Sequence, residues 1–546
     1  MNHILLVNTP WSDDFSVTRA EENLGLLYIE ASLKKSGYRT SIIDGLACDL
    51  SYEDIMKEIL LRIPSIFIGF SAYANNIKNT VKMAKELRTC GYKGHITTGG
   101  MWPSFKYREI LSQIKEIDSV CVGEGEELSV ELADAIAKAM DLKHIRGLAT
   151  VHHDGTINFT SRKFKDNIDS FPVPDRSGYY LGMIKKKEYA SIMFSRGCHG
   201  RCTFCNIASY INMCGGEYWR HRSPDAVVDE IEYIIKTTGV KVFDFVDDNF
   251  FGRDEKDREN CFLLGEEILK RKLDVRFSVA CRVQGMDYEL LNKLKEAGLV
   301  EVTLGIESWS EEQIKRYNKK LTVRDIEKAI EILHRVNLSY KCFIIPLDPY
   351  VTREELIENL DRMEKHRPLD HTFVYSQFFG TIRLDPYMHI FKKCLKDNLI
   401  EDFNEHDLDN YDIRYRQFHP EIQGIADAGR TIWTVFCICT TNLNVTGKKK
   451  NLPVYQWDRI KRDILLALKK LLYNYFREYI STGGNNDGSE FIYKRTEKIC
   501  KDICSFAKNI KREELMELKE YIIDIGGIKI STRPEGFNEF IERILR

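Results

Sequence analysis

Short apolar runs alternate with amphipathic stretches over the first 140 residues, with the periods of strands and helices. Residues 3–8, 39–44, 65–71, 95–99 and 119–122 read as strands, and 22–36, 50–62, 76–89, 105–115 and 126–139 as the helices between them. Strands separated by helices predict a parallel sheet covered on both faces, since each connection must cross over to return. Ligands of such sheets sit at the carboxyl ends of the strands. Those ends carry Asn8-Thr9-Pro10-Trp11, Gly69-Phe70-Ser71, Gly99-Gly100-Met101-Trp102 and Gly123-Glu124-Gly125-Glu126, where glycines let backbone approach a bulky ligand.

The alternation pauses and then resumes. Residues 145–165 predict a hairpin turning at Asp154-Gly155, and Phe171-Pro172-Val173-Pro174-Asp175-Arg176 an extended linker. From about 188 to 365, strand patterns at 190–194, 242–246, 276–280, 301–305 and 339–345 are separated by helical ones at 224–237, 255–271, 287–297, 310–316, 323–336 and 352–366. A partial or complete parallel (β/α) barrel is the natural closure, with its site at the carboxyl ends. Beyond about 370 long charged amphipathic stretches, such as 455–480 and 512–524, predict a mostly helical part. The expected fold class is therefore α/β: a Rossmann-like sheet (1–145), a hairpin and Pro-containing linker (146–184), a barrel (185–368) and a mostly helical C-terminal domain (369–546).

A chain of 546 residues is long enough for several cores, and 43% hydrophobic with 30% charged residues is a globular composition. Lys+Arg 80 against Asp+Glu 82 leaves a net charge of -2, so no global field favours nucleic acid. Lys448-Lys449-Lys450 reads as a solvated loop, and so does the run from Ser481 to Ser489. Neither a secretory signal nor an apolar run long enough to span a membrane is visible. Fifteen cysteines without a regular framework fit a reducing cytoplasm.

Three of those cysteines stand together in Ser195-Arg196-Gly197-Cys198-His199-Gly200-Arg201-Cys202-Thr203-Phe204-Cys205. The loop follows the first barrel strand. Three soft thiolates at this spacing can reach three irons of one cubane cluster and leave a fourth iron open. A zinc site with His199 as fourth ligand is the alternative, although no second ligand pair follows at zinc-site spacing. Later strand ends aim polar groups into the same mouth: Asp247-Asp248-Asn249, Arg282 and Gly305-Ile306-Glu307-Ser308. An arginine can grip a carboxylate bidentately, and a buried carboxylate can accept bonds from hydroxyls or an amine. Asp247 and Asp248 are equally readable as a cap or turn pair.

The CxxxCxxC loop with an aromatic before its last cysteine resembles the signature of the radical S-adenosylmethionine (SAM) enzymes. The resemblance implies a 4Fe-4S cluster on Cys198, Cys202 and Cys205, and SAM chelated at the open iron and cleaved to a 5'-deoxyadenosyl radical. It also implies adenine near Phe204, and further SAM contacts at Glu307, Arg282 and Asp247. Ile344-Ile345-Pro346-Leu347-Asp348-Pro349 stands where relatives often carry a Gly-x-Pro turn. The strand ends of residues 1–140 resemble the cobalamin-binding domain that precedes many such cores, which implies cobalamin contacts at Ser71, Tyr73, Gly99, Gly100, Trp102, Gly123 and Glu124. No D-x-H-x-x-G occurs, so the resemblance implies cobalamin held without a histidine on its lower face, with Tyr73 or Trp102 nearby.

By this resemblance the chain is a cobalamin-dependent radical SAM enzyme, with C-methyl transfer to an unactivated carbon as the first reading and cyclisation or rearrangement as the second. The substrate is a small molecule or peptide, and reduction of the cluster implies a flavodoxin- or ferredoxin-type donor. A methylthiotransferase would need a second cluster on Cys48, Cys90 and Cys121; a non-enzymatic cobalamin carrier would have no use for the triplet. Cys437-x-Cys439 and Cys500-x-x-x-Cys504 suggest a further cluster or, at such spacing, buried thiols.

Overall fold

Strand β1 (His3–Asn8) buries Ile4 and Leu6 against one face of its sheet and Leu5 and Val7 against the other, the mark of a central parallel strand. The computed structural model describes residues 3–11, 21–48, 50–63, 65–152, 154–366, 380–408, 413–449, 454–483, 487–509, 522–525 and 528–531. Around β1 lie β2 (Arg39–Asp44), β3 (Phe67–Ser71), β4 (His95–Gly99) and β5 (Ser119–Cys121), in the parallel order β2-β1-β3-β4-β5. The expected hairpin, β6 (Leu148–Val151) and β7 (Ile157–Asn158), extends this sheet, with Cys121 opposite Leu148 in an antiparallel pair. The strand order reverses between β1 and β3, which pair parallel, so a topological switch point lies beyond Asn8 and Ser71.

A second sheet holds β8 (Ala190–Ile192), β11 (Val242–Phe245), β12 (Arg276–Arg282), β13 (Leu299–Glu307) and β14 (Ser339–Ile344) side by side in chain order and all parallel. Among the described residues this is a partial barrel. After β8 the chain forms a small antiparallel hairpin, β9 (Ser195–Gly197) with β10 (Trp219–His221), and the cysteine loop and a helix at Ile207–Cys214 lie between its arms. The helices on the barrel begin at local signals: Asp254 with Asp257 and Thr322 with Asp325 form reciprocal capping boxes.

Arg176, from the Pro-containing linker, is fully buried where the two sheets meet. It donates to Glu22 (3.1 Å) and to Glu230 (2.6 Å), while Arg222 donates to the other oxygen of Glu230 at 2.5 Å. The two guanidiniums hold the Glu230 carboxyl below its usual range against the cost of burial. Replacing Glu230 by alanine leaves two desolvated arginines with one carboxylate fewer, a change worth about 3–5 kcal/mol. A lower urea midpoint at unchanged slope is the expected result.

The C-terminal part straps the two α/β units together. Lys106 donates to the carbonyl of Glu405 (2.6 Å), Tyr387 donates to that of Phe105, and their neighbours Asn206 and Ser209 donate to Asp385 and to the carbonyl of Tyr387. Long helices follow at Pro420–Lys449, Val454–Ser481 and Gly488–Asn509. Lys448 and Lys449 close the first of these rather than forming a loop, and Lys450 lies outside the described residues. Of the helix expected at 512–524, residues 512–521 lie outside the described residues. Residues 522–524 belong to a strand instead: β15 (Ile522–Ile525) pairs antiparallel with β16 (Ile528–Ser531), because isoleucines alternating with polar residues suit a two-residue period. No helix among the described residues is long and apolar enough to cross a membrane.

Candidate functional site

The cysteine loop starts at Gly197, which has a φ of +85° and passes so close to Tyr218 that a Cβ would lie 2.3 Å from its carbonyl oxygen. Cys202 is buried, Cys198 and Cys205 are half-buried, and all three are free thiols. Two donors already point at sulfur: the Gly200 N–H reaches Cys198 Sγ at 3.3 Å and Arg282 Nη1 reaches Cys202 Sγ at 3.1 Å. Burial pushes the Cys205 thiol up to about 12 and raises Cys198 too, against the pull of the Gly200 N–H and the Arg282 charge. Such N–H···S donors stabilise thiolate charge, so this donor set fits an iron–sulfur cluster.

Gly200 belongs to that fit. A Cβ there would lie 2.5 Å from Arg282 Nη1 and 3.3 Å from Cys198 Sγ. Gly200→Ala is expected to push the guanidinium off Cys202 and, with Cys202 as the cluster ligand that the resemblance implies, to shift the cluster midpoint potential negative at unchanged iron content. Redox titration of the reconstituted protein checks it.

Glu307 closes β13 and is nearly buried. A register shift between Gly305 and Glu307 in the pairing with β14, together with a φ of +66° at Glu307, turns its side chain toward Lys319. Lys319 Nζ sits 3.1 Å from Glu307 Oε1, itself buried, and lies 5.9 Å from the Phe204 ring centre. Phe204 in turn meets Tyr317 edge-on at 5.1 Å. The structure thus brings Cys202, Arg282, Glu307 and Phe204 to one mouth. Lys319 is an addition; in sequence it falls between the helical stretches 310–316 and 323–336, and no local signal announces its burial.

Asp247 departs from the expected cofactor contact. Its oxygens accept from the Phe194 N–H (3.2 Å) and from the Ser195 N–H and hydroxyl, so it ties down the link from β8 into β9 from inside. Burial lifts its carboxyl to about 7 against those bonds. Asp248 accepts from the Gly197 N–H at 3.2 Å, at the entrance of the cysteine loop.

On the first sheet, Ser71, Gly99 and Gly100 line the ends of β3 and β4, and Tyr73 stands exposed just beyond. Gly100 has a φ of +113° and passes so close to Ala72 that a Cβ would lie 2.8 Å from its carbonyl oxygen. An open ledge of bare backbone beside the switch point suits a large flat ligand, and in that sense the residues present fit a corrin. Two expected ledge residues point elsewhere. Trp102 is buried and donates to the carbonyl of Leu408 at 2.8 Å, because the C-terminal strap covers it. Glu124 accepts from Arg196 (3.0 Å) and Arg220 (2.8 Å), and Glu126 accepts from Arg196 at 2.5 Å. These pairs bind the end of β5 to the two arms of the β9–β10 hairpin, while Gly123 packs beside Cys214. The carboxyl ends of both sheets therefore face one joint, with the cysteine loop two residues from Arg196.

The other cysteine groupings do not assemble. Among the described residues no three His, Cys, Asp or Glu side chains, those of the triplet included, converge on a single metal ion, whereas three irons of one cluster ask for only one thiolate each; His199 Nε2 lies 3.4 Å from Asp257. Cys48, Cys90 and Cys121 sit in the turn after β2, at the end of the helix Ile77–Thr89 and within β5. Cys439 and Cys500 bring their sulfurs to 3.8 Å across two helices, whereas the side chains of Cys437 and Cys504 lie outside the described residues.

Comparison with known proteins agrees with this division. Residues 192–363 match the radical SAM superfamily and residues 16–133 the B12 binding domain. An uncharacterized methyltransferase of Pyrococcus horikoshii is 29% identical over 387 residues, 70% of this chain and 80% of its own length. The anaerobic magnesium-protoporphyrin IX monomethyl ester cyclase of Rubrivivax gelatinosus is 29% identical over 325 residues, 56% of this chain and 55% of that protein, so about half of its length is spanned. Among solved structures, the cobalamin-dependent S-adenosylmethionine radical enzyme OxsB with aqua-cobalamin bound superposes with a TM-score of 0.71 at 18% identity, covering 100% of this chain and 84% of that one.

Proposed function

Because this chain belongs to the radical SAM enzymes that carry a cobalamin-binding domain, we propose that it is a cobalamin-dependent C-methyltransferase acting at an unactivated carbon of a small-molecule or peptide substrate. The observation that carries this reading is the joint at Glu124, Arg196 and Arg220, which turns the ledge of the first sheet and the cysteine loop of the second toward each other. When bound, the cluster, SAM and cobalamin supply hydrogen-atom abstraction and methyl delivery, chemistry that no side chain here performs. The chain's own work is placement and exclusion of water.

In this reading Cys198, Cys202 and Cys205 hold three irons, Arg282 grips the SAM carboxylate, Glu307 takes its amine or ribose hydroxyls, and Phe204 lies by the adenine. Ser71, Tyr73, Gly99, Gly100 and Gly123 shape the cobalamin ledge. Asp247, Trp102 and Glu124 support these surfaces from behind. The cluster is reduced by a flavodoxin- or ferredoxin-type donor, and the free thiols suit the cytoplasm.

Cyclisation or rearrangement without methyl transfer is the second reading, favoured by the name of the Rubrivivax relative. Product mass separates the two. Turnover with methyl-labelled SAM is expected to add one labelled CH2 to the substrate, with one SAM spent as methyl source and a second as radical source. A product of unchanged composition, or one that has only lost hydrogen, supports the second reading.

A further inference from the structure

One short segment, residues 316–320, touches nearly every group of the SAM side of the site. The Thr203 N–H donates to the carbonyl of Tyr317 (3.0 Å) and its hydroxyl to that of Arg316 (3.0 Å), while Asn318 Nδ2 donates to the carbonyl of Arg201 at 2.8 Å. The cysteine loop is thereby held at Arg201 and Thr203, the residues on either side of Cys202. The carbonyl of Lys319 accepts from Arg282 Nη2 (2.6 Å) and from Gln284 Nε2 (3.1 Å). With that anchor in place, the other arm of the Arg282 fork points at Cys202. The side chain of Lys319 then reaches Glu307.

The segment is stiff by construction. Asn318 and Lys320 both have positive φ, 54° and 57°, a conformation that asparagine takes readily and lysine seldom. Behind it, Tyr317 donates to buried Asp348 (2.9 Å) and to the carbonyl of Ile345 (2.8 Å), and Arg316 forks onto Asp348 and Glu355. Gly305 leaves the space that the ion pair fills: a Cβ there would lie 2.9 Å from Glu307 Oε1 and 3.3 Å from Lys319 Nζ.

We propose that Lys319 is a positioning residue for SAM. Its ammonium fixes the pose of the Glu307 carboxylate and its carbonyl fixes the Arg282 guanidinium, so one residue sets the spacing between the two groups that receive opposite charges of the same zwitterion. This inference rests on the family reading of Glu307 and Arg282 given above. The pair also balances a buried charge, so affinity for SAM rather than stability is the readout that separates a positioning residue from a core one.

The test uses the full chain with its cluster reconstituted, as wild type, Lys319→Met, Lys319→Arg, Glu307→Gln and the double variant Lys319→Met/Glu307→Gln. Iron per chain, SAM affinity by equilibrium dialysis and the change that SAM makes in the electron paramagnetic resonance of the reduced cluster are measured on each. Lys319→Met is expected to keep its iron and to bind SAM about 10- to 100-fold more weakly, the usual effect of removing a residue that orients a ligand. Lys319→Arg is expected to restore most of the affinity. The double variant is expected to bind no more weakly than Glu307→Gln alone, because Lys319 acts through that carboxylate.

Wild-type affinity in Lys319→Met would overturn the proposal, and so would iron loss in that variant or additive losses in the double one. Should Lys319→Met fail to fold through its unpaired carboxylate, the double variant, which has none, and Lys319→Arg still decide. A wild-type chain that takes up iron but binds no SAM would instead defeat the family reading on which the proposal stands.

Discussion

Cys202→Ala is expected to abolish iron incorporation and SAM cleavage together while leaving cobalamin uptake and thermal unfolding near wild type. Cys202 is the buried member of the triplet, and its sulfur is the acceptor for Arg282. In the proposed assignment the cluster then loses one of three protein ligands, and the arginine loses its sulfur partner. The fold has little reason to fail, because the loop remains held through the backbone and side chain of Thr203 and the carbonyl of Arg201. A non-enzymatic cobalamin carrier would keep its function in this variant. Iron analysis and SAM consumption under reducing, anaerobic conditions give the answer, and normal turnover would refute the assignment of the triplet.

Withholding cobalamin from a chain with an intact cluster is expected to have the second-largest effect: complete loss of methylated product with SAM cleavage retained. The basis is the separation of the two sites. The ledge at Ser71, Gly99 and Gly100 belongs to one sheet and the cysteine loop to the other, and the salt bridges that join them run through Glu124, Glu126, Arg196 and Arg220 without involving the thiols. Each half can therefore bind its own cofactor. Measurement of 5'-deoxyadenosine and methylated product side by side checks the prediction; loss of both would mean that SAM cleavage itself depends on the first sheet being filled.

The elements legible in the sequence are those whose signals are local. Strand β1 buries both faces and so reads as one unbroken apolar run, and the helix at Val323–Val336 begins with a capping box and ends on Asn337 in the left-handed conformation. The cysteine triplet is contiguous, so it needs no tertiary information. Trp102 and Glu124 look like ligand contacts because they follow strand ends rich in glycine. What they touch, Leu408 in one case and Arg196 and Arg220 in the other, comes from segments that no local pattern brings near. Asp247 follows the same logic, since the backbone it secures is the link from β8 into β9. Lys319 is hidden most completely: its partner Glu307 is oriented by a register shift, and lysine in a loop is ordinarily a solvated residue.

The account stands most directly on cobalamin per chain. The full-length protein, expressed anaerobically with cobalamin supplied and its cluster reconstituted, is predicted to carry close to one cobalamin by visible absorbance alongside its iron. A protein that holds the cluster and no cobalamin would contradict the account, leaving a radical SAM core whose first sheet serves some other ligand.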